Sequence, residues 1–338
     1  MSIAIGPVTT RNRVFLAPMS GVSDEPFRSL AHRLGAGLVV TEMVASEELV
    51  RQRPDMVRRA ARAREVRPFV VQLAGCEPRW MAKGAAMAAD MGADIIDINM
   101  GCPAREVAGM LSGSALMREP DLAERLIAAT IAAVSVPVTV KMRLGWDHAS
   151  LNAPDLAARA EALGAAMITV HGRTRCQFYK GSADWAAIAR VREAIAMPLI
   201  ANGDGAGPGD ARTMLARSGA DGIMIGRGAY GRPWLPGVIA EALDPGSGRA
   251  MPDAAERGAI VLGHYRAMIA FHGPMHGVKI ARKHVGWYLQ AAVADGVIAP
   301  ETAAHWRPVL LREADADRVL AGLAVIFGGA EGKAREAA

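Results

Sequence analysis

The chain has 338 residues, of which 51% are apolar and 22% charged, and a formal net charge of +5. That length supports a large core and two domains, and that balance excludes disordered, fibrous and disulfide-stapled classes. The positive charge permits a polyanionic partner without demonstrating one.

The amino terminus, Met1–Pro7, lacks a basic flank followed by a long apolar core, so it does not read as a signal peptide. No apolar run approaches the roughly 20 residues needed to cross a bilayer. The three cysteines, Cys76, Cys102 and Cys176, have no metal-like spacing and suit a reducing compartment. The expectation is a cytoplasmic monomer with no metal and no membrane contact.

Short β-rich apolar runs recur at Val14–Pro18, Leu38–Met43, Phe69–Leu73 and Asp94–Ile98. They continue at Val138–Met142, Met167–Val170, Leu199–Ala201 and Gly222–Ile225. Between most of them lie segments with helical spacing: Trp80–Met91, Asp121–Val134, Asp155–Leu163, Trp185–Ile195 and Pro208–Ser218. Several end in Gly-Ala (Gly35-Ala36, Gly92-Ala93, Gly164-Ala165, Gly219-Ala220), as helix-to-strand junctions do. Eight βα units over this length predict a (β/α)8 TIM barrel, with a doubly wound sheet as the rival. Polar residues follow nearly every strand: Ser20, Glu42, Gln72, Asn99 with Cys102, Lys141 with Arg143, His171 with Arg173, Asn202 with Asp204, and Arg227. A barrel gathers these at one mouth, whereas an open sheet would scatter them. Past the Pro/Gly/Ser-rich stretch Leu243–Gly248, four helices are predicted at Ala254–Phe271, Gly277–Ala292, Pro300–Glu313 and Asp315–Phe327. The expected domains are a barrel over 1–243, a small all-helical carboxyl-terminal domain over 244–330 and a disordered tail over 331–338.

Three constellations carry chemistry. Asn202-Gly203-Asp204-Gly205 and Gly226-Arg227-Gly228 follow the seventh and eighth strands, where barrels commonly bind phosphate through backbone N–H groups. Ala17-Pro18-Met19-Ser20-Gly21, Gln72, Lys141 and His171 end other strands and could rim a flat heterocycle, the lysine stabilising charge on the reduced ring. Cys102 lies in Asp97-Ile98-Asn99-Met100-Gly101-Cys102-Pro103, a strand followed by a rigid turn, where a thiol can give a proton. Most free cysteines are small buried hydrophobes, and this heptad alone does not decide between the two.

Together these residues resemble the bacterial tRNA-dihydrouridine synthase family, most closely its B branch. The resemblance rests on Ala17-Pro18-Met19, Asp97–Pro103, Lys141-Met142-Arg143, His171-Gly172-Arg173-Thr174-Arg175, Asn202-Gly203-Asp204, Gly226-Arg227, Gly231-Arg232-Pro233-Trp234 and Ala281-Arg282-Lys283-His284-Val285. It covers nearly the whole chain in order. It implies a barrel holding FMN, and a helical domain that docks tRNA. Pro18, Met19, Ser20, Gln72, Lys141 and His171 would surround the flavin. Asn202, Gly203, Asp204, Gly226 and Arg227 would hold its phosphate end. Cys102 would protonate C5 of a uracil that receives hydride at C6 from flavin N5. Asn99 would face the uracil, Arg173 would stand among the substrate contacts, and NADPH or NADH would re-reduce the flavin in the same pocket. The family often carries a lysine four residues after the cysteine, where this chain has Glu106.

A uridine acted on at a barrel mouth must leave its stack, which demands a surface for the RNA backbone. Lys279, Arg282 and Lys283 fall at i, i+3 and i+4 on one helix face, with His284 and Tyr288 beside it. Seven arginines (Arg51, Arg53, Arg58, Arg59, Arg62, Arg64, Arg67), opposed only by Asp55 and Glu65, form a second basic cluster expected to touch RNA. Trp287 and Trp306 are expected to pack the helical core. The competing functions are a flavoenzyme for a free pyrimidine, of dihydroorotate dehydrogenase type, and a non-catalytic tRNA-binding protein.

Overall fold

The computed structural model describes residues 1–63, 65–104 and 111–328; Arg64, Glu106 and the tail over 331–338 lie outside them. The chain divides into two compact units. One joins Met1–Gly228 to Pro236–Arg249, and the other joins Ala229–Leu235 to the residues from Ala250 onward. The first unit therefore runs past residue 243 to Arg249, and the second takes Ala229–Leu235 from before it.

The first unit starts with a hairpin of β1 (Ala4–Ile5) and β2 (Val8–Thr9), which the sequence reading did not anticipate. Nine parallel strands follow: β3 (Val14–Leu16), β4 (Leu38–Val39), β5 (Val44–Ala45), β6 (Val70–Ala74), β7 (Ile95–Met100), β8 (Val138–Arg143), β9 (Met167–His171), β10 (Leu199–Asn202) and β11 (Gly222–Ile225). Strand β11 pairs with β3, β3 with β4, and Val40 bridges to Val70, so the sheet curls round and closes. The result is a (β/α)8 barrel whose second strand is broken into β4 and β5. The break has a local cause. Val40 lies opposite Val70 but Val44 opposite Leu73, so β4–β5 carries one extra residue. There the Thr41 hydroxyl, not a backbone carbonyl, accepts the Gln72 N–H at 2.9 Å.

Outside the strands lie α1 (Glu25–Arg33), the short α2 (Ser46–Val50) and α3 (Pro54–Arg59), α4 (Pro78–Asp90), α5 (Pro120–Ala132), α6 (Ala153–Ala162), α7 (Trp185–Ala194), α8 (Pro208–Ser218) and α9 (Leu235–Leu243). Proline stands in the first turn of α4, α5, α6 and α8, where its missing N–H costs nothing. The predicted Gly-Ala junctions all turn through positive φ, at Gly35, Gly92, Gly164 and Gly219. Inside the barrel, Phe15, Leu38, Val70, Ile95, Met167, Ile200 and Met224 form one apolar cluster, and Ile3 and Ile5 of the hairpin bury into it. On β6, β7, β9 and β10 the residue two positions later is polar (Gln72, Asp97, Thr169 and Asn202), because side chains on one face of a strand recur every second position, whereas β3 and β11 lead to Ala17 and Gly226.

The second unit packs α10 (Ala254–His272), α11 (Pro274–Ala294), α12 (Pro300–Arg312) and α13 (Ala316–Phe327) around Val261, Tyr265, Met268, Val285, Tyr288, Leu289 and Leu323. Trp306 packs against that cluster, and Trp287 stacks on Tyr230 with ring centroids 3.9 Å apart. His284 and Tyr288, expected beside the basic face, are instead buried. Among the described residues no helix is long and apolar enough to cross a membrane.

Gly231 has φ +68°, and a Cβ there would lie 2.2 Å from the Trp287 carbonyl oxygen, whereas one at Gly246 (φ +82°) meets nothing within 4 Å. Gly246→Ala should cost about 1 kcal/mol, the left-handed penalty alone. Gly231→Ala adds overpacking against backbone and should cost on the order of 3 kcal/mol. Urea unfolding of the two variants side by side measures the difference.

Candidate active site at the barrel mouth

The polar layer above the apolar cluster is organised by register. Gln72 on β6 is paired with Asp97 on β7, and Asp97 with Thr139 on β8. Asp97 is 4% exposed, so each oxygen needs a donor. Its Oδ1 accepts from the Thr139 hydroxyl at 2.6 Å and its Oδ2 from the Gln72 amide at 2.6 Å. Burial nevertheless dominates and pushes the Asp97 carboxyl up to about 6.

Two residues on, Asn99 donates to Gln72 Oε1 at 2.7 Å. Asn99 Oδ1 accepts the Cys102 N–H at 2.9 Å and the Gly101 N–H at 3.2 Å. The Cys102 carbonyl accepts from the Ser114 N–H at 3.0 Å and its hydroxyl at 2.8 Å. Buried Arg143 donates to the Gly101 carbonyl at 2.8 Å and to the Thr174 and Phe178 carbonyls, both at 2.9 Å. The turn that carries the thiol is thus held on both sides, and Cys102 itself stays partly exposed.

Lys141 lies beside this network and donates to Asn202 Oδ1 at 3.2 Å, an oxygen that also meets His171 Nδ1 at 2.8 Å. The register again sets the contact, since His171 is paired with Asn202. Burial, then the neighbouring Arg143, lowers Lys141 to about 8. Burial, then Lys141, holds His171 well below its ordinary value, so at neutral pH it is an uncharged imidazole.

The two glycine-rich loops meet the same mouth. Gly203 directs its carbonyl onto Trp185 Nε1 at 2.8 Å, and across a trans peptide the Asp204 N–H then points the opposite way. Arg227 is half exposed and sits 3.6 Å from Asp204. A Cβ on Gly226 would reach ordinary contact with Ala17 and Met19, at 3.8 and 3.9 Å, which places that loop against the turn after β3. In that turn Met19 donates to the Ser23 hydroxyl at 2.8 Å, Pro18 is half-buried and Ser20 is exposed.

Two expectations need correction. Arg173 was expected among the substrate contacts, but it is 2% exposed and forks onto Asp204 at 2.8 and 2.6 Å, with further bonds to the Lys180 and Gly181 carbonyls. It holds the Asp204 loop instead. Of the described members of the arginine cluster after β5, Arg58 and Arg59 lie in α3 and the others in irregular chain, and the cluster is opposed by more than Asp55 and Glu65: Arg51 pairs with Glu47 at 2.7 Å and Arg53 with Glu48 at 3.0 Å. Lys279, Arg282 and Lys283 belong to the helical unit. Lys279 is exposed, and half-buried Arg282 donates to the Glu313 carbonyl at 3.4 Å. Sequence reasoning assigned no role to Asp97, Thr139 or Ser114. The first two could have been found by stepping back two residues from Asn99 and Lys141.

The family model described as Dihydrouridine synthase (Dus) matches residues 15–316. The chain belongs to that family. Within it, a probable tRNA-dihydrouridine synthase of Rhizobium leguminosarum bv. phaseoli is 59% identical over 283 residues, covering 84% of this chain and 87% of the relative. A tRNA-dihydrouridine synthase B of Xanthomonas campestris pv. campestris is 48% identical over 284 residues, covering 84% and 86%. Among solved structures, histamine dehydrogenase from Rhizobium sp. 4-9 aligns with a TM-score of 0.56 at 16% identity, over 85% of this chain and 50% of that one. The structure of TcOYE with pHBA aligns at 0.53 and 14% identity, over 72% and 91%. At such identities these two support the barrel fold alone.

The raised Asp97 carboxyl has a consequence for stability. Its folded value of about 6 lies above the ordinary carboxylate value, so the folded chain holds this proton more tightly than the unfolded chain. The contribution is complete below about pH 4 and is lost as pH rises through about 6. Relative to Asp97→Asn, the wild-type protein should lose roughly 3 kcal/mol across that window. Urea midpoints of the two proteins at pH 4, 5, 6 and 7 check it.

Proposed function

We propose that the protein is an FMN-dependent tRNA-dihydrouridine synthase that reduces the C5=C6 bond of a uridine in tRNA. The observation that carries the reading is the Cys102 turn, clamped on both sides at the barrel mouth beside a recessed lysine and a neutral histidine. The names borne by its relatives favour the same substrate.

The residues present fit FMN at both of its ends. At the phosphate end, Arg173 neutralises the Asp204 carboxylate, so the positive charge of Arg227 and the outward Asp204 N–H remain for an anion. Gly226 leaves room there for close approach, Gly203 would contribute backbone alone because Ala183 takes the place of its Cβ, and Asn202 is held by its neighbours. At the flat end, Gln72 commits one amide proton to Asp97 and keeps a second for a ring carbonyl. Pro18, Met19 and Ser20 would line the ring's edge, Lys141 would stabilise negative charge on it, and neutral His171, its Nδ1–H donated to Asn202 Oδ1, would accept at Nε2 without adding charge. When bound, FMN reduced by NADPH or NADH supplies hydride to C6 of the uracil.

Cys102 then gives the Sγ proton to C5. A thiol that must donate benefits from a fixed backbone, because proton transfer falls steeply with misplacement. Asn99, which accepts the Gly101 and Cys102 N–H groups and donates one amide proton to Gln72, would meet the uracil with its remaining amide proton. The helical unit would bind tRNA phosphates, with Lys279 as its freest cation on the basic face.

Dihydrouridine mapped position by position in tRNA, from cells with and without the gene, tests the activity itself; an unchanged map refutes it. Cys102→Ala should keep its flavin, read from the visible spectrum, and reduce uridine at least about 100-fold more slowly. Lys279→Ala should weaken tRNA binding and lower the salt slope by about 1. The same replacement at Arg282 should lower it less, since Arg282 already bonds the Glu313 carbonyl. Filter binding across a salt series compares them.

A further inference from the structure

The chain of contacts from Asp97 to Cys102 has a direction, and the direction has one source. An ionised carboxylate only accepts hydrogen bonds, so Gln72 must turn its NH2 toward Asp97. Gln72 Oε1 is thereby aimed at Asn99, which must offer its own NH2. Asn99 Oδ1 is then left facing the Gly101 and Cys102 N–H groups. The carbon framework of either amide would accept the opposite orientation, because the O and NH2 ends are nearly isosteric. With Asn99 turned over, its NH2 would face two backbone donors and the amino side of the Cys102 turn would lose its anchor. The Thr139 hydroxyl fills the other Asp97 oxygen, so the carboxylate has no competing arrangement.

We propose that Asp97 is a positioning residue for the Cys102 thiol, acting through Gln72 and Asn99 by fixing which way both amides point. This goes beyond the reduction proposed above but rests on it for its catalytic meaning. Asp97 touches neither the thiol nor the mouth; it lies buried two residues below Asn99 on the same strand. Lys141 is the charged group that faces both ends of the relay, since its ammonium interacts with Asp97 and with Cys102.

An amide at position 97 removes the polarity without removing the volume. In Asp97→Asn, residue 97 can present NH2 to Gln72 and reverse the whole series. The double variant Asp97→Asn with Gln72→Glu restores it. Its carboxylate at 72 accepts from residue 97 on one oxygen and from Asn99 Nδ2 on the other, so Asn99 again faces the turn correctly.

The test uses the full-length protein purified with its bound cofactor, and has two readouts. The first is the rate at which iodoacetamide alkylates each of Cys76, Cys102 and Cys176, resolved by mass spectrometry. In Asp97→Asn the Cys102 rate should drop several-fold, as a loosened turn carries the thiol away from Lys141, while Cys76 and Cys176 keep their rates. The double variant should recover it. The second readout splits the two half-reactions in single turnovers. Reduction of uridine in tRNA should fall on the order of 10- to 100-fold, as misplacement of a reacting group predicts, and by more than reduction of the bound cofactor by NADPH. The double variant is read on the Cys102 alkylation rate alone, because Gln72 is also the group proposed to donate to the flavin ring. An unchanged Cys102 rate, an equal change at all three cysteines, or no recovery of the Cys102 rate in the double variant would each overturn the proposal. Should wild-type protein fail to reduce tRNA while the Cys102 rates shift and recover as described, the proposed reaction falls and the positioning of Cys102 by Asp97 stands.

Discussion

The mouth of this barrel depends on a buried carboxylate that has to be satisfied. A charge at 4% exposure costs several kcal/mol unless donors surround it, and the two donors that do so come from the adjacent strands on either side. Their meeting is a matter of register: β6, β7 and β8 are aligned so that Gln72, Asp97 and Thr139 lie in one row. A slip of one residue in β7 would turn Asp97 outward and bring Ile96 or Ile98 into the polar layer, leaving Gln72 and Thr139 without their acceptor. The same row thus pins the register of the strand that carries the thiol.

Everything above that row is built by the period of two. Strand β7 reads Ile95, Asp97, Asn99 on its inner face, passing from core to network to turn within six residues. Strand β8 reads Thr139, Lys141, Arg143, and supplies in order a support for Asp97, a cation for the pocket and a clamp for the Gly101 carbonyl. Strand β9 ends on His171 and β10 on Asn202, which are paired. The split second strand fits the same logic. Its extra residue lets the Thr41 hydroxyl fill the gap in the ladder, and Glu42 then accepts the Gly21 N–H, tying the turn after β3 to the rim.

The sequence showed the strands and helices well because the apolar runs are short, regular and bounded by glycine junctions. Gly222–Ile225 and Pro208–Ser218 fall where expected, and most other elements shift by one to three residues at an end. The hairpin Ala4–Thr9 was invisible for a physical reason. Two strands of two residues carry too little alternation to register, and Ile5 is buried by the barrel cluster it enters, not by a pattern of its own. Chemistry was legible where a residue sits after a strand, as Cys102, Lys141 and His171 do. It was misread for Arg173, because a sequence does not say whether an arginine near a mouth faces solvent or an aspartate 31 residues later. The arginine cluster after β5 misled similarly: the carboxylates that answer it, Glu47 and Glu48, precede it on a separate short helix.

The charge balance at the mouth follows from these placements. Arg173 is cancelled by Asp204 in a forked pair, and loss of Asp204 would cost about 3–5 kcal/mol because the Arg173 charge would remain buried. Arg143 is lowered to about 10 by burial and remains a cation, but its donors are spent on three carbonyls, so it acts as a strut. His171 is neutral. Besides Arg143, which is turned onto those carbonyls, the positive charge at the mouth resides on Lys141 at the recessed end and Arg227 at the rim. Two separated cations suit a ligand that is anionic at one end and becomes anionic at the other only on reduction. Lys141, lowered to about 8 by its surroundings, remains mostly charged near neutral pH but is held there at a cost, which a developing negative charge beside it would relieve. In the proposed reaction such a pocket would favour a reduced ring over an oxidised one.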